Sequence, residues 1–263
     1  MGFARAFGVM VYRQLKRFVK ARGRLVMTLA QPIIWIVFFG VGMGSVFSFS
    51  NPVAESFIKQ VFGGLDYMTF LTTGVVGMTV FLGSFISGIT VLWDKQFGFL
   101  KETLVAPAPR SAIILGRSFG DTLVVLLQAA IIALVAKAVA PSINLAGLPA
   151  ALAYGLILGM GLASAGIVIS LRMTTPESFQ VVMNFVMMPL MFLSGVFYPL
   201  DRLPLWAKAI ATANPLTYAV DGVRYWLTGA SAYGPLKDLV ILSAISAVFI
   251  ALSVWEFRRA TLD

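Results

Sequence analysis

The chain contains no cysteine and no histidine. Without Cys there is no disulfide, no thiol nucleophile and no cysteine-held metal. Without His the commonest general base and metal ligand is missing. Charge is scarce as well, at 12% of residues, about half of the ~25% carried by a soluble domain. So few polar groups cannot cover a water-facing surface. No GxxxxGK[ST] run occurs, so no nucleotide is bound through a P-loop of this chain. No internal repeat stands out, which weighs against transporters assembled from repeated halves.

What is present is apolar: 59% hydrophobic residues and a mean hydropathy of +0.90. These values predict an all-α polytopic membrane protein with one membrane domain. The net charge of +9 would suggest nucleic acid in a soluble protein. Here it reads as topology and lipid contact, and no nucleic-acid partner is expected. A span needs about 20 mostly apolar residues. Six runs qualify, roughly 25–47, 67–93, 119–140, 150–171, 179–198 and 236–255. They are continuous rather than alternating, so helices are expected rather than a barrel. Fourteen of the 20 Lys and Arg fall in one set of connecting segments and six in the other. The richer side is expected to be cytoplasmic, with both termini there and the chain multi-pass in the cell membrane. The first residues do not read as a signal peptide, because a long basic segment precedes a full-length span.

Residues 1–24 form that basic segment and 25–263 the membrane domain. Arg13, Lys16, Arg17, Lys20 and Arg24 share one helical face, and Phe7, Val11, Leu15 and Phe18 another. This predicts an amphipathic helix lying in the interface against anionic lipids; an ordinary basic flank that fixes topology is the alternative.

The stretch LKETLVAPAPR, Leu100–Arg110, lies between the second and third runs. Phe97, Leu100, Lys101 and Leu104 are spaced to share a face, while Pro107 and Pro109 stop a helix. A short amphipathic helix over about 97–106 is expected. Such a helix can insert an apolar ridge into a groove on a soluble partner, with Lys101 and Glu102 setting its register. A solvated loop is the alternative.

Between runs five and six, residues 199–235 predict two short helices over about 203–229 that dip into the outer leaflet as a re-entrant pair. Asn214 is expected to cap the second and Gly229 to stop it. Tyr218, Asp221 and Arg224 are candidates for an extracellular gate; Asp221 and Arg224 are spaced to pair, or simply decorate the helix surface. Polar residues inside spans are few: Gln31 before Pro32, Asp121, Gln128, Lys137 and Asn184. They make no chain of carboxylates for a proton or sodium relay. Span five is rich in Met and Phe, and Met187, Met191 and Phe192 are candidates for a hydrophobic substrate path, or for core packing.

LKETLVAPAPRSAIILGR resembles the first cytoplasmic loop of type 2 ABC exporter permeases, through Glu102, Thr103, Leu104, Pro107, Arg110, Gly116 and Arg117. NPLTYAVDGVR, Asn214–Arg224, is similar to the family's segment between spans five and six, and TTPESFQVVMNF adds a weaker match. With six spans, the resemblance covers essentially the whole chain and is close to the daunorubicin-type drug exporters. It implies that the helix over 97–106, with Phe97, Leu100, Lys101, Glu102 and Leu104, is a coupling helix seated in a separate ATP-binding subunit. It further implies two permease copies and two such subunits, with ATP and Mg bound by the partner and no cofactor in this chain. The chain would then be a transport subunit, not an enzyme, exporting amphipathic, hydrophobic or lipid-linked molecules. An ion-coupled secondary transporter is the alternative function.

Overall fold

The computed structural model describes residues 2–47, 52–105 and 107–259; a few side chains within its helices, among them those of Leu100, Lys101 and Leu104, lie outside the described set. Every regular element among the described residues is a helix. The first is α1, Phe3–Lys20. Next come α2, Arg22–Trp35, a π-helical turn, Ile36–Val41, and α3, Gly42–Phe47, which together make one long apolar rod. Pro32 lies inside α2 and lacks the donor that a regular ladder requires. The wider turn follows one helical turn later, where such irregularities absorb strain.

A short helix that the hydropathy pattern does not predict, α4, Pro52–Val61, precedes α5, Tyr67–Gln96. Asp66 caps α5, its carboxylate accepting from the Thr69 amide at 3.0 Å and the Thr69 hydroxyl at 2.6 Å. The seven residues of α6, Phe99–Val105, follow. Then come α7, Arg110–Val139, and α8, Leu148–Arg172. After α8 the chain forms α9, Pro176–Phe192, then α10, Leu205–Ala213, α11, Pro215–Thr228, and α12, Pro235–Arg259.

Among the described residues, five helical rods are long and apolar enough to cross a membrane: Val26–Gly44, α5, α7, the segment Leu145–Arg172, and α12. The expected fifth span over 179–198 differs. Its helix, α9, runs 17 residues and stops at Phe192. The Leu193 amide closes on the Pro189 carbonyl, and Gly195 at φ +79 turns the chain out of the helical path. The start of α7 also differs, lying nine residues before the expected 119. Arg110 and Arg117 hide it from an apolar reading, and the helix runs on beyond the apolar slab.

The helix α5 is the hub, buried along nearly all its length against α7, α8 and α11. Three of its hydroxyls are satisfied within the helix: Thr72, Thr73 and Thr79 each donate to the carbonyl four residues back, at 2.8–2.9 Å. Close packing rests on small residues. At Gly159 an added Cβ would sit 2.5 Å from Thr122 Cγ2, and at Gly161 2.6 Å from Ser246 Oγ. On the first rod Gly40 meets Met68 of α5, whereas a Cβ at Gly44 would meet nothing within 4 Å.

The helix α1 does not present the face expected from the sequence. Ala6, Met10 and Gln14 are buried, with Phe7, Val11, Leu15 and Phe18 only partly so. The seat is α7, where Gly116 and Gly120 let the α1 backbone approach: a Cβ at Gly116 would lie 2.7 Å from the Phe7 carbonyl oxygen. Lys16, Arg17 and Lys20 remain exposed.

Candidate functional site

The helix α6 stands just past the end of the hub. Gly98, at φ +82, occupies the left-handed region that favours glycine and swings the chain from α5 into α6. Phe97 therefore lies on the turn and not on the helix, which corrects its place on the predicted apolar face. Leu100, Lys101 and Leu104 are within α6 by backbone; their side chains lie outside the described set. The exposed ridge at this corner consists of Phe97, Phe99 and Val105, 73%, 49% and 71% exposed, beside exposed Glu102. Large apolar side chains projecting from such a short helix suit insertion into a partner's groove.

The base of α6 is tied into the rest of the molecule. Asp94, buried in the last turn of α5, receives Arg117 Nη1 at 2.6 Å and lies 3.6 Å from Arg13 Nη2 of α1. Arg117 Nη2 also donates to Thr90 Oγ1 at 2.9 Å. Lys95 Nζ donates to the Leu171 and Met173 carbonyls at 3.2 and 3.4 Å, and Gln96 to that of Thr174 at 3.3 Å. Arg172 and Glu256 form an ion pair between α8 and α12. The end of α5 thus holds α1, α7 and the α8–α9 connection together. Sequence reading missed this network, because Asp94, Arg13 and Arg117 are far apart in the chain.

At the opposite end, the predicted helical pair forms as α10 and α11. Asn214 caps α11, accepting from the Leu216 amide at 3.0 Å, and donates to the Leu190 carbonyl at 2.7 Å. Gly229, at φ +82, ends it. The gate candidates behave differently from expectation. Tyr218, Asp221 and Arg224 are buried rather than on the helix surface, and no ion pair joins Asp221 to Arg224. The Asp221 carboxylate instead accepts from Ser231 Oγ at 2.8 Å and from the amides of Ala232 and Tyr233 at 2.9 Å each. Arg224 Nη2 donates to the carbonyls of Gly195, at 2.9 Å, and Phe70, at 3.2 Å. Its guanidinium lies 3.7 Å from the centre of the Phe70 ring. Burial, opposed by attraction to Asp221, lowers its pKa to about 10, so it stays a cation at neutral pH. Burial likewise raises the Tyr233 hydroxyl. Tyr218 donates to the Thr212 carbonyl at 2.6 Å, tying α11 to α10.

The substrate-path candidates on α9 divide. Met191 is buried in the core, and Met187 is half-buried against it. Phe192 joins Trp35, Phe39 and Phe197 in an aromatic cluster with neighbouring ring centres 5.0–6.4 Å apart. That cluster joins α9 to the first rod. The open face of α9 carries other residues: Gln180, Val181, Asn184, Phe185 and Met188. Lys137, one of the few polar residues expected inside the spans, turns back on its own helix end and donates to the carbonyls of Pro141 and Ile143 at 2.6 and 2.7 Å.

Against known proteins, residues 5–228 match the ABC-2 type transporter family. The chain belongs to that family. The ycf38 transport permease of Pyropia yezoensis is 30% identical over 203 residues, covering 74% of this chain and 64% of that relative's length. The inner membrane transport permease YadH of Escherichia coli K12 is 27% identical over 240 residues, covering 90% of this chain and 87% of YadH. The multidrug ABC transporter permease YbhR of the same strain is 26% identical over 201 residues, covering 75% of this chain and 54% of YbhR. Membership in the ABC-2 family makes the chain a membrane transport permease subunit.

Proposed function

We propose that this ABC-2 permease is the transmembrane half of an ATP-driven exporter, moving amphipathic, hydrophobic or lipid-linked molecules out of the cytoplasm or inner leaflet. The observation that carries this reading is the corner at α6. An exposed apolar ridge projects beyond the hub helix, from a base bonded to α1, α7 and the α8–α9 connection. A push on α6 by an ATP-binding subunit would therefore reach the outer helices directly. ATP and Mg belong to that subunit, and the chain itself carries no catalytic role. The basic end is cytoplasmic, with both termini there, and YadH's name supports an inner-membrane location.

Two copies of the chain and two ATP-binding subunits make up the transporter. Exposed Gln31 on the first rod, with Gln180 and Asn184 on α9, supports the pairing. Gln180 donates to Asn184 at 3.0 Å, but these amides still present groups that acyl chains cannot satisfy. A second copy seated on this face supplies partners. The family match speaks for ATP as the energy source over an ion gradient.

A tagged pull-down from mild-detergent membranes tests the reading. The native chain retains an ATP-binding subunit, and a Glu102→Arg, Leu100→Asp double variant of equal expression loses it. A well-folded native chain that retains no ATPase would contradict it.

A further inference from the structure

The chain does not pass straight from α9 into α10. Gly195, at φ +79, turns it aside, and a single 3-10 turn, Leu200–Arg202, follows. This excursion, the α4–α5 connection and the loop after α11 surround a pocket at the end of the molecule opposite α6. Gln60, Gly63, Asp201 and Ser231 stand exposed at its mouth. Buried Phe62, Phe70 and Leu200 give it apolar walls, and Arg224 lies inside, 6% exposed.

Three charged side chains line the pocket, all within the described set: Arg224, Asp221 and Asp201. They do not pair. Among the described residues no ion pair reaches Arg224. The Asp221 oxygens are taken by Ser231 Oγ and the amides of Ala232 and Tyr233, and Asp201 is exposed at the mouth. Of the guanidinium nitrogens, Nη2 alone has acceptors among the described residues, the carbonyls of Gly195 and Phe70. Nε is buried without one, and Nη1 has none. A buried cation with unfilled donors and no counter-ion in contact is costly. An anion entering the pocket relieves that cost. Asp221 and Asp201 restrict it to a single charge, because both would repel a dianion. A phosphate monoester carries nearly two charges at neutral pH and fits poorly. Of the singly charged oxyanions, a carboxylate has one substituent and a phosphodiester two. The aromatic wall is one unit, with the Phe62 and Phe70 ring centres 5.1 Å apart, which suits a single apolar body.

We propose that this pocket binds a carboxylate borne on a single apolar body, with Arg224 Nη1 donating to it. As a binding site it stands on the pocket alone; its place on the outer face rests on the topology proposed above. The full-length chain in detergent, without an ATP-binding subunit, is the material for the test, so failure here is separable from failure of the pull-down. Isothermal titration and thermal unfolding are run at neutral pH with four probes that share one ring: phenylacetate, phenylacetamide, phenyl phosphate and methyl phenyl phosphate. The expected result is saturable binding of phenylacetate, with an unfolding midpoint that rises with its concentration. The neutral amide and both phosphates bind more weakly. Arg224→Met abolishes the response. That variant also loses stability, so two variants at the exposed mouth carry the test independently. Asp201→Asn removes a repelling charge and tightens phenylacetate binding about threefold. Ala232→Trp, at a lining position that is itself exposed, obstructs the pocket. It weakens binding about tenfold while unfolding normally without ligand. Equal binding of the amide or of either phosphate would overturn the proposal. Weaker binding by Asp201→Asn, or binding unchanged by Ala232→Trp, would overturn it as well.

Discussion

Asp94 of α5 and Arg117 of α7 form a buried ion pair at 2.6 Å, with Arg13 of α1 standing 3.6 Å off as a second cation. The two cations are not equivalent. Arg117 is buried and hydrogen-bonded twice, whereas the Arg13 side chain is 38% exposed and at a distance too long for a hydrogen bond. Losing one partner of a buried pair leaves the other as an uncompensated charge. Asp94→Asn or Arg117→Gln should therefore destabilise the fold by about 3–5 kcal/mol, and Arg13→Gln by about 1 kcal/mol or less. Thermal unfolding of the three purified variants checks the order; equal losses would contradict it.

The seat of α1 on α7 depends on two glycines. A Cβ at Gly116 would meet the Phe7 backbone, and one at Gly120 would lie 2.9 Å from Gln14 Cβ. Gly116→Val should lift α1 from its seat. Exposed Lys16, Arg17 and Lys20 then become faster sites for trypsin, while the remaining helices stay resistant. Unchanged cleavage would show that α1 is held elsewhere.

Arg224 clamps α11 to α5 and to the turn after α9 through two carbonyls and the Phe70 ring. A lysine ammonium lacks the planar fork that serves both carbonyls and stacks on the ring. Arg224→Lys should cost about 1.5–3 kcal/mol, and Arg224→Met a comparable amount, because the loss is of directed donors rather than of charge alone. Full stability of the lysine variant in a thermal melt would refute the clamp.

Asp221 fastens the loop from Ser231 to Tyr233 by accepting one hydroxyl and two amides. Asp221→Ala orphans those donors and should cost about 1–3 kcal/mol. Asp221→Asn keeps one acceptor oxygen and should fall between native and alanine. The loop amides of Ala232 and Tyr233 should show the difference first, as faster hydrogen exchange in the alanine variant.

Five of the six expected spans, the α10–α11 pair and the caps at Asn214 and Gly229 were legible in the sequence, because continuous apolar runs and side-chain capping are local signals. The helix α4 was not, since an alternation of polar and apolar residues over ten positions has no membrane signature. The buried face of α1 was also hidden. Charge spacing placed the apolar face at Phe7, Val11, Leu15 and Phe18, but the seat is set by glycines of α7 more than 100 residues away. The gate candidates show the same limit. The spacing of Asp221 and Arg224 suggests a pair, yet each found better partners on other elements. A cleft between α1, α2, α5 and α7 draws together Asp121 and Gln128, both singled out as polar, with Gln14, Arg17, Ser87 and Thr90, whose place only the packing of four helices defines.

The account turns on α6 touching an ATP-binding subunit. The chain has no native cysteine, so Glu102→Cys on the exposed corner creates a single reactive thiol. Short-span cross-linking in native membranes should join it to an ATP-binding subunit, and ATP should change the yield. A Cys at exposed Leu236 on α12, at the far end of the molecule, should give none. Cross-links from Leu236→Cys but not from Glu102→Cys would contradict the central claim.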